Sequence, residues 1–351
     1  MIRDARVLQA DFVPQEVVHR DPEANQLSNA LEPITRDEPA ETAFLFGPSG
    51  TGKTCLAKFI VERLRREVID IEHQYVNCWQ NYTRFRAIYR ILEGIGQTLD
   101  VHRQSTPKDE LLERLRQYDG PPYVVILDQV DQLEDMDVLY DLYTLPNISM
   151  VLIANREEDV FGTFDDRLRS RLKTCARIRF GSYNLDQLVT ILEDRVRWGL
   201  EPDVINQDQL ETIADYAAGD ARVAIGIFRN AARVAQQEGH QSITTEVIED
   251  VVPEAKSEVR QKKIELLTDH QRADIGLDIL HRVVDRQAAR HHAAGAVDVH
   301  ADLFFRVLRL KVQELGDHKL AHAVMDGAVD EDDPLFQQSR EDVVGSFATA
   351  G

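Results

Sequence analysis

The chain has 351 residues, 43% apolar and 29% charged, with a formal net charge of −20. That length implies roughly two or three domains, each with its own core, and the composition is that of a globular chain rather than a disordered or membrane-spanning one. Overall acidity repels phosphate polyanions, so any nucleic-acid surface must be local. The three cysteines (Cys55, Cys78, Cys175), without a C-x-x-C pair, give neither a disulfide framework nor a zinc site.

Nine of the 41 basic residues are lysine and the rest are arginine. An acid-rich, lysine-poor surface suits high intracellular salt, where screening makes self-repulsion tolerable. The N-terminus (Met1 to Arg6) lacks the apolar core of a signal peptide, and the longest apolar run, around Tyr123–Leu127, is far too short to cross a bilayer. A reducing, cytoplasmic setting without a membrane partner is expected.

Residues 1–41 read as an irregular lead-in with a helix around Glu23–Leu31. From Thr42 to about Phe180, short β runs alternate with helical patterns, which predicts a parallel sheet with helices on both faces. The first run, Thr42–Phe46, leads into Gly47-Pro48-Ser49-Gly50-Thr51-Gly52-Lys53-Thr54, followed by Cys55 and a helical pattern (Leu56, Ile60, Val61, Leu64). This fits G-x-x-x-x-G-K-[ST] at every fixed position, in the strand–loop–helix context that the motif needs. The glycines let backbone N–H groups turn onto phosphate oxygens at a helix N-terminus. Lys53 reaches the β/γ-phosphates and the Thr54 hydroxyl can ligate Mg²⁺. A nucleoside triphosphate ligand, with Cys55 grouped beside the loop, is the expectation.

A second β run, Gln74–Asn77, precedes helical spacing at Phe85, Ile88, Leu92, Ile95 and Leu99, and again at Leu111 and Leu115. The third run, Tyr123–Leu127, ends in Asp128, the form of the second phosphate-site motif, where a carboxylate holds Mg²⁺ through water. The fourth, Ser149–Ala154, ends in Asn155, which is either a turn residue or a sensor of the γ-phosphate and lytic water. Before the fifth run, Arg177–Phe180, lies Asp166-Arg167-Leu168-Arg169-Ser170-Arg171-Leu172. Arg167 and Arg171 both qualify as an arginine finger acting on a neighbouring subunit, and a solvated helix face is the other reading.

After Phe180 the strands stop. Leu185, Leu188, Ile191 and Leu192 begin a run of helices through Val223, Ile227 and Ala231 that ends near Val252-Pro253. Within it, Asp220 can cap a helix whose first turn carries Arg222, poised to reach the phosphates. An arginine there opposes the helix dipole and implies an external reason for it. A charged connection, Glu254–Lys263, leads to a third segment with helices around Asp269–Arg290 and Leu303–Leu315, then an acidic tail. His318 and His322 have i, i+4 spacing but no carboxylate partner, and read as surface residues.

The motif set resembles the archaeal origin-recognition / cell-division-cycle-six family of DNA replication initiators, from about residue 10 to 290. The carrying segments are Phe12-Val13-Pro14…His19-Arg20, residues 47–54, the LDQVD run at 127–131, Asn155, the arginine-rich box, and the YNLDQL run at 183–188. GDARVA at 219–224 and Leu267-Thr268-Asp269-His270-Gln271-Arg272 complete them. The resemblance implies an α/β fold with an AAA+ P-loop NTPase core, a helical lid and a C-terminal winged-helix domain, here 1–181, 182–255 and 256–351. It implies ATP/ADP with Mg²⁺, Tyr183 and Arg195 in the nucleotide pocket, origin double-stranded DNA as partner, and replicative helicase or other initiator subunits beyond it. Tyr183 reads equally as a hinge-packing aromatic. Arg84, Arg86 and Arg90 lie where such initiators carry a DNA-contacting helix, and a solvated helix face is the equal alternative.

Two departures stand out. Gln129 occupies the position where AAA+ proteins usually have the glutamate that polarises the attacking water. An amide is a poor proton acceptor, so hydrolysis is expected to be slow or absent. After about residue 290 no recognition helix or wing is legible. An ATP-dependent initiator acting as a switch is the reading, with a regulatory or scaffolding paralogue lacking origin recognition as the alternative.

Overall fold

The computed structural model describes residues 1–265, apart from 37, 39, 68–69, 99–100 and 102–106. Leu99, the Leu267–Arg272 block, the two later helices, the His318/His322 pair and the winged-helix expectation lie outside the described residues. The chain divides into two units, Met1–Leu267 and Thr268–Gly351; the description below is of the first.

In order, the elements are α1 (Asp21–Leu31), β1 (Ala43–Phe46), α2 (Lys53–Glu67), β2 (Glu72–Asn77), α3 (Arg84–Gly94), α4 (Lys108–Arg116), β3 (Tyr123–Asp128), α5 (Asp137–Tyr143) and β4 (Ile148–Ala154). They continue with α6 (Glu157–Phe161), α7 (Asp166–Leu172), β5 (Ala176–Arg179), α8 (Leu185–Gly199), α9 (Gln207–Ala217), α10 (Ala221–Gln237) and α11 (Thr245–Glu265). Every strand expected from the sequence is present, with ends moved by no more than two residues.

The five strands form one parallel sheet in the order β2-β3-β4-β1-β5. Side chains alternate across a pleated strand, and the alternation sorts them into two cores. Val124 and Ile126 of β3, Val151 and Ile153 of β4, and Leu45 of β1 pack against α1 and α2. Val125, Leu127, Met150, Leu152 and Phe44 face the opposite core, with Ile88 and Ile91 of α3, Leu139 of α5 and Leu168 of α7. Burial on both faces explains why β3 and β4 read as unbroken apolar runs rather than alternating ones.

The four helices α8–α11 have a separate core built around Leu192, Ile213, Ile227, Phe228 and Ile248. Asn184 and Asn206 each close a capping box with a glutamine three residues on, Gln187 and Gln209. Each such cap stabilises its helix by about 1 kcal/mol. The YNLDQL segment that stands out in the sequence is therefore, in part, the start signal of α8.

One expectation is corrected. The last helix does not end at Val252-Pro253: α11 continues through Pro253 to Glu265, so the charged stretch Glu254–Lys263 is helical. Proline removes one intrahelical hydrogen bond, but Val251, Val252 and Ala255 are buried on either side of it, and that packing carries the helix past the defect. The lead-in up to Arg20 is irregular, as expected, and is also packed against the helical region. Ile2 bridges to Leu200, the N–H groups of Arg3 and Asp4 donate to the Gly199 carbonyl (2.8 and 3.1 Å), and Leu8 joins the α8–α11 core.

Candidate functional site

The P-loop lies between β1 and α2, and its conformation depends on glycine. Gly50 and Gly52 have φ of +75° and +90°, left-handed values that L side chains rarely adopt. Both are also crowded. A β-carbon on Gly52 would come within 2.6 Å of the Tyr183 hydroxyl, and one on Gly50 would overlap the Asp220 carboxylate.

The loop therefore meets α8–α10 directly. Gly219 (φ +87°) turns the chain, and Asp220 Oδ1 caps α10 by accepting from the N–H groups of Arg222 and Val223 at 2.8 and 3.2 Å. The Ala221 N–H donates to the Gly50 carbonyl at 3.0 Å. Arg222, next in line, is held at the same cavity as Lys53.

That cavity has a volume of about 430 Å³, within the usual range for a small-molecule site. Residues Ser49 through Cys55 line it on one side, with Asp128, Gln129 and Asn155 at the sheet edge and Tyr183, Arg195 and Arg222 from the helical side. Gly47 and Pro48 are not in the lining; their carbonyls accept from Lys53 Nζ at 2.6 and 2.8 Å. Burial lowers the Lys53 ammonium to about 8, opposed by Asp128 and reinforced by Arg222. Burial also pushes the Cys55 thiol up.

Thr54 Oγ1 donates to Asp128 Oδ2 at 2.8 Å, so the two residues chosen from sequence for a cation are in contact. Hydroxyl and carboxylate oxygens form a hard donor set that suits Mg²⁺. The glycine cradle and this oxygen pair fit a Mg²⁺–nucleotide. Among the described residues no cluster of three or more His, Cys, Asp or Glu offers a separate metal site.

Gln129 adopts a left-handed conformation (φ +58°, ψ +49°), and its buried Oε1 has no hydrogen-bond partner. Asp131, a conceivable substitute base, is outside the lining and is raised by burial, with Oδ2 accepting from Gln132 at 2.6 Å. The Asn155 carbonyl accepts from the Gly47 N–H at 3.2 Å, while its exposed side chain belongs to the cavity rim.

Arg195 lines the cavity, but its guanidinium holds the lead-in: Nη1 donates to the Val7 carbonyl at 2.6 Å and Nη2 to that of Phe12 at 3.2 Å, over the Phe12 ring. Arg20 plays a matching part on the core side. It stacks on Tyr183, donates to the Gly181 carbonyl at 2.6 Å and pairs with Glu23. Arg167 and Arg171 stand apart from the cavity, on the exposed face of α7, against Tyr140 and Tyr143. Of the arginines proposed for DNA, Arg84 is paired with Asp135 and Asp141 and Arg90 with Glu93, while Arg86 lies over Tyr82.

Sequence reasoning missed the lead-in residues Phe12, Pro14, Val17 and Val18 as cavity wall, and Trp79 in the same lining as Gln129. It also missed Tyr75, whose hydroxyl donates to Asp128 Oδ2 at 2.8 Å. Once β2 and β3 are paired in register, with Tyr75 opposite Ile126 and Asn77 opposite Asp128, Tyr75 falls on the Asp128 face; only the pairing carries that signal.

A parallel sheet with a P-loop, joined by a helical lid that contributes an arginine, defines the AAA+ class of P-loop ATPase folds. A model of the AAA domain matches residues 36–159, and one of the Cdc6 AAA+ ATPase-type lid domain matches 189–253. The ORC1-type DNA replication proteins 1 and 9 of Halobacterium salinarum are 57% and 56% identical to this chain, covering 77% and 78% of it and 88% and 77% of themselves. The chain belongs to the ORC1-type DNA replication protein family, a family of replication initiators. Among solved structures, Cdc6p from Pyrobaculum aerophilum aligns with a TM-score of 0.62 and 26% identity over 69% of each chain. The Aeropyrum pernix ORC1 protein in complex with DNA shares the fold, with a TM-score of 0.67 at 24% identity over 90% of this chain and 88% of that one. No helix among the described residues is long and apolar enough to cross a membrane.

Proposed function

We propose that this chain is an ATP-binding replication initiator that grips origin duplex, and that its nucleotide state sets its affinity for DNA and for the helicase-loading machinery. The observation that supports the switch is the docking of the α10 N-terminus on the P-loop, Ala221 N–H to Gly50 carbonyl at 3.0 Å. A ligand held by Lys53 from the core and Arg222 from the lid adds a second bond between the same two parts, and so biases how they sit together.

Lys53 exchanges its loop carbonyls for phosphate oxygens. Thr54 and Asp128 would hold Mg²⁺, which would supply charge neutralisation at the phosphates. Gln129 positions water through its amide and takes up no proton, so turnover is slow. Arg167 or Arg171, outside the cavity, serves the nucleotide of an adjacent subunit. Relatives described as ORC1-type replication proteins, and a fold shared with a DNA-bound ORC1 protein, support the DNA partner.

The test is duplex binding and footprinting at high KCl, with and without ATP, for wild type, Lys53→Ala and Arg222→Ala. ATP should change the footprint of the wild type only. A footprint indifferent to ATP in all three removes the switch, and no footprint on any genomic duplex removes origin recognition. A chain shortened after residue 265 should lose duplex binding; retention assigns it to the AAA+ core and lid.

A further inference from the structure

Asp128 Oδ2 accepts two hydrogen bonds, one from Thr54 Oγ1 and one from Tyr75 Oη, each at 2.8 Å. The first joins two residues of the phosphate site. The second comes from the neighbouring strand and belongs to none of the motifs named above. We propose that Tyr75 is a positioning residue for Mg²⁺: its hydroxyl, with that of Thr54, holds the Asp128 carboxylate in one rotation, the one in which it would take up the cation. The inference rests on the nucleotide reading above.

The surroundings are built for a fixed donor. Tyr75 is half-buried on the α2 face of the sheet, and the Lys58 ammonium sits 3.8 Å from the centre of its ring. Lys58 lies one helical turn after Thr54 on α2, so the same helix supplies the cation ligand and the group that clamps the ring. A cation over the ring draws electron density from it and makes the hydroxyl a stronger donor. Without it, a carboxylate held by Thr54 alone is free to turn about its χ2 axis, and binding the cation must then order it.

Groups that orient a metal's ligands typically contribute about 10- to 100-fold in metal affinity. The experiment measures ATP binding to the full chain as free Mg²⁺ is titrated, and separately in EDTA. Tyr75→Phe should raise the Mg²⁺ concentration for half-maximal enhancement about tenfold and leave ATP affinity in EDTA within twofold. A hydroxyl that serves only folding would lower both together. In an Asp128→Asn background, where no carboxylate remains to be oriented, Tyr75→Phe should add less than a further twofold.

An unchanged Mg²⁺ midpoint in Tyr75→Phe overturns the proposal, and so does an equal shift in the Asp128→Asn background. If Tyr75→Phe does not fold, Lys58→Met, which keeps the phenol and removes the cation over it, should raise the midpoint about two- to threefold; no shift there overturns it too. Failure of the underlying reading looks different: the wild type itself then shows no ATP binding in EDTA that Lys53→Ala abolishes.

Discussion

Asp220 caps helix α10 and, with the same carboxylate, fills the space where Gly50 would carry a side chain. One contact thus ties the fold of the lid to the conformation of the P-loop.

Replacing Gly50 with alanine should therefore damage both. The left-handed φ alone costs about 1–2 kcal/mol in a residue with a β-carbon, and the overlap with Asp220 adds to it. Gly96 is a built-in control, since its φ is +70° but a β-carbon there would meet nothing within 4 Å. Gly50→Ala should lower the melting temperature more than Gly96→Ala and weaken ATP binding at least tenfold. Equal behaviour of the two variants in thermal melts and nucleotide titrations would dissolve the link.

ATP affinity should depend on pH through Lys53. Burial places its folded value at about 8, below the ordinary 10.5. Between those values the unfolded chain binds more protons, so this residue's contribution to stability rises with pH across that window. Phosphate binding runs the other way because it needs the ammonium: affinity should be flat below about pH 7.5 and fall above about 8, by up to roughly tenfold per unit. Calorimetric titrations from about pH 6.5 to 9.5 check this, with Lys53→Arg expected to abolish the alkaline fall, because a guanidinium stays charged throughout.

Gln129→Glu should speed hydrolysis. General-base help is typically worth about a hundred- to ten-thousand-fold, and the amide oxygen already lies buried at the cavity without a partner. A carboxylate there, buried beside Asp128, has its pKa raised, so part of the gain appears only as pH increases. Single-turnover hydrolysis at high KCl should show at least a tenfold increase and a rising alkaline limb, with ATP affinity little changed. Equal rates would show that another group already accepts the proton.

Arg195→Met should release the lead-in. It removes two hydrogen bonds to the Val7 and Phe12 carbonyls, each worth about 1–3 kcal/mol when a buried partner is stranded. The melting temperature should fall by about 5–10 °C, and limited proteolysis should cut first among residues 1–20. A loss of ATP affinity without new cleavage sites would instead make Arg195 a direct phosphate ligand.

The sheet was legible because β3 and β4 are buried on both faces and carry unbroken apolar runs. The P-loop was legible because its glycines, lysine and threonine are adjacent in the chain. Tyr75 was not: it acts across a strand pair, on a residue far along the sequence, and a tyrosine in a β run carries no mark of that role. Arg195 lines the cavity, but its hydrogen-bond partners are backbone carbonyls, which no side-chain pattern reveals. Pro253 misled for a similar reason, since the local penalty in α11 is outweighed by apolar contacts that α11 makes with distant residues.

Arg20 carries one further consequence. The peptide passes from core to lid at Gly181, and Arg20, at the end of a lead-in fastened to α8, donates to that very carbonyl. Two strands of chain that converge on a single point thus tie the lid to the core, apart from the hydrogen bond between Ala221 and Gly50. With that bond open, a body suspended this way would turn about the point rather than translate away from it. Tyr183, beside the pivot, would stay almost still while the α10 N-terminus swings, so nucleotide would enter and leave by a turn of the lid that never separates the two parts.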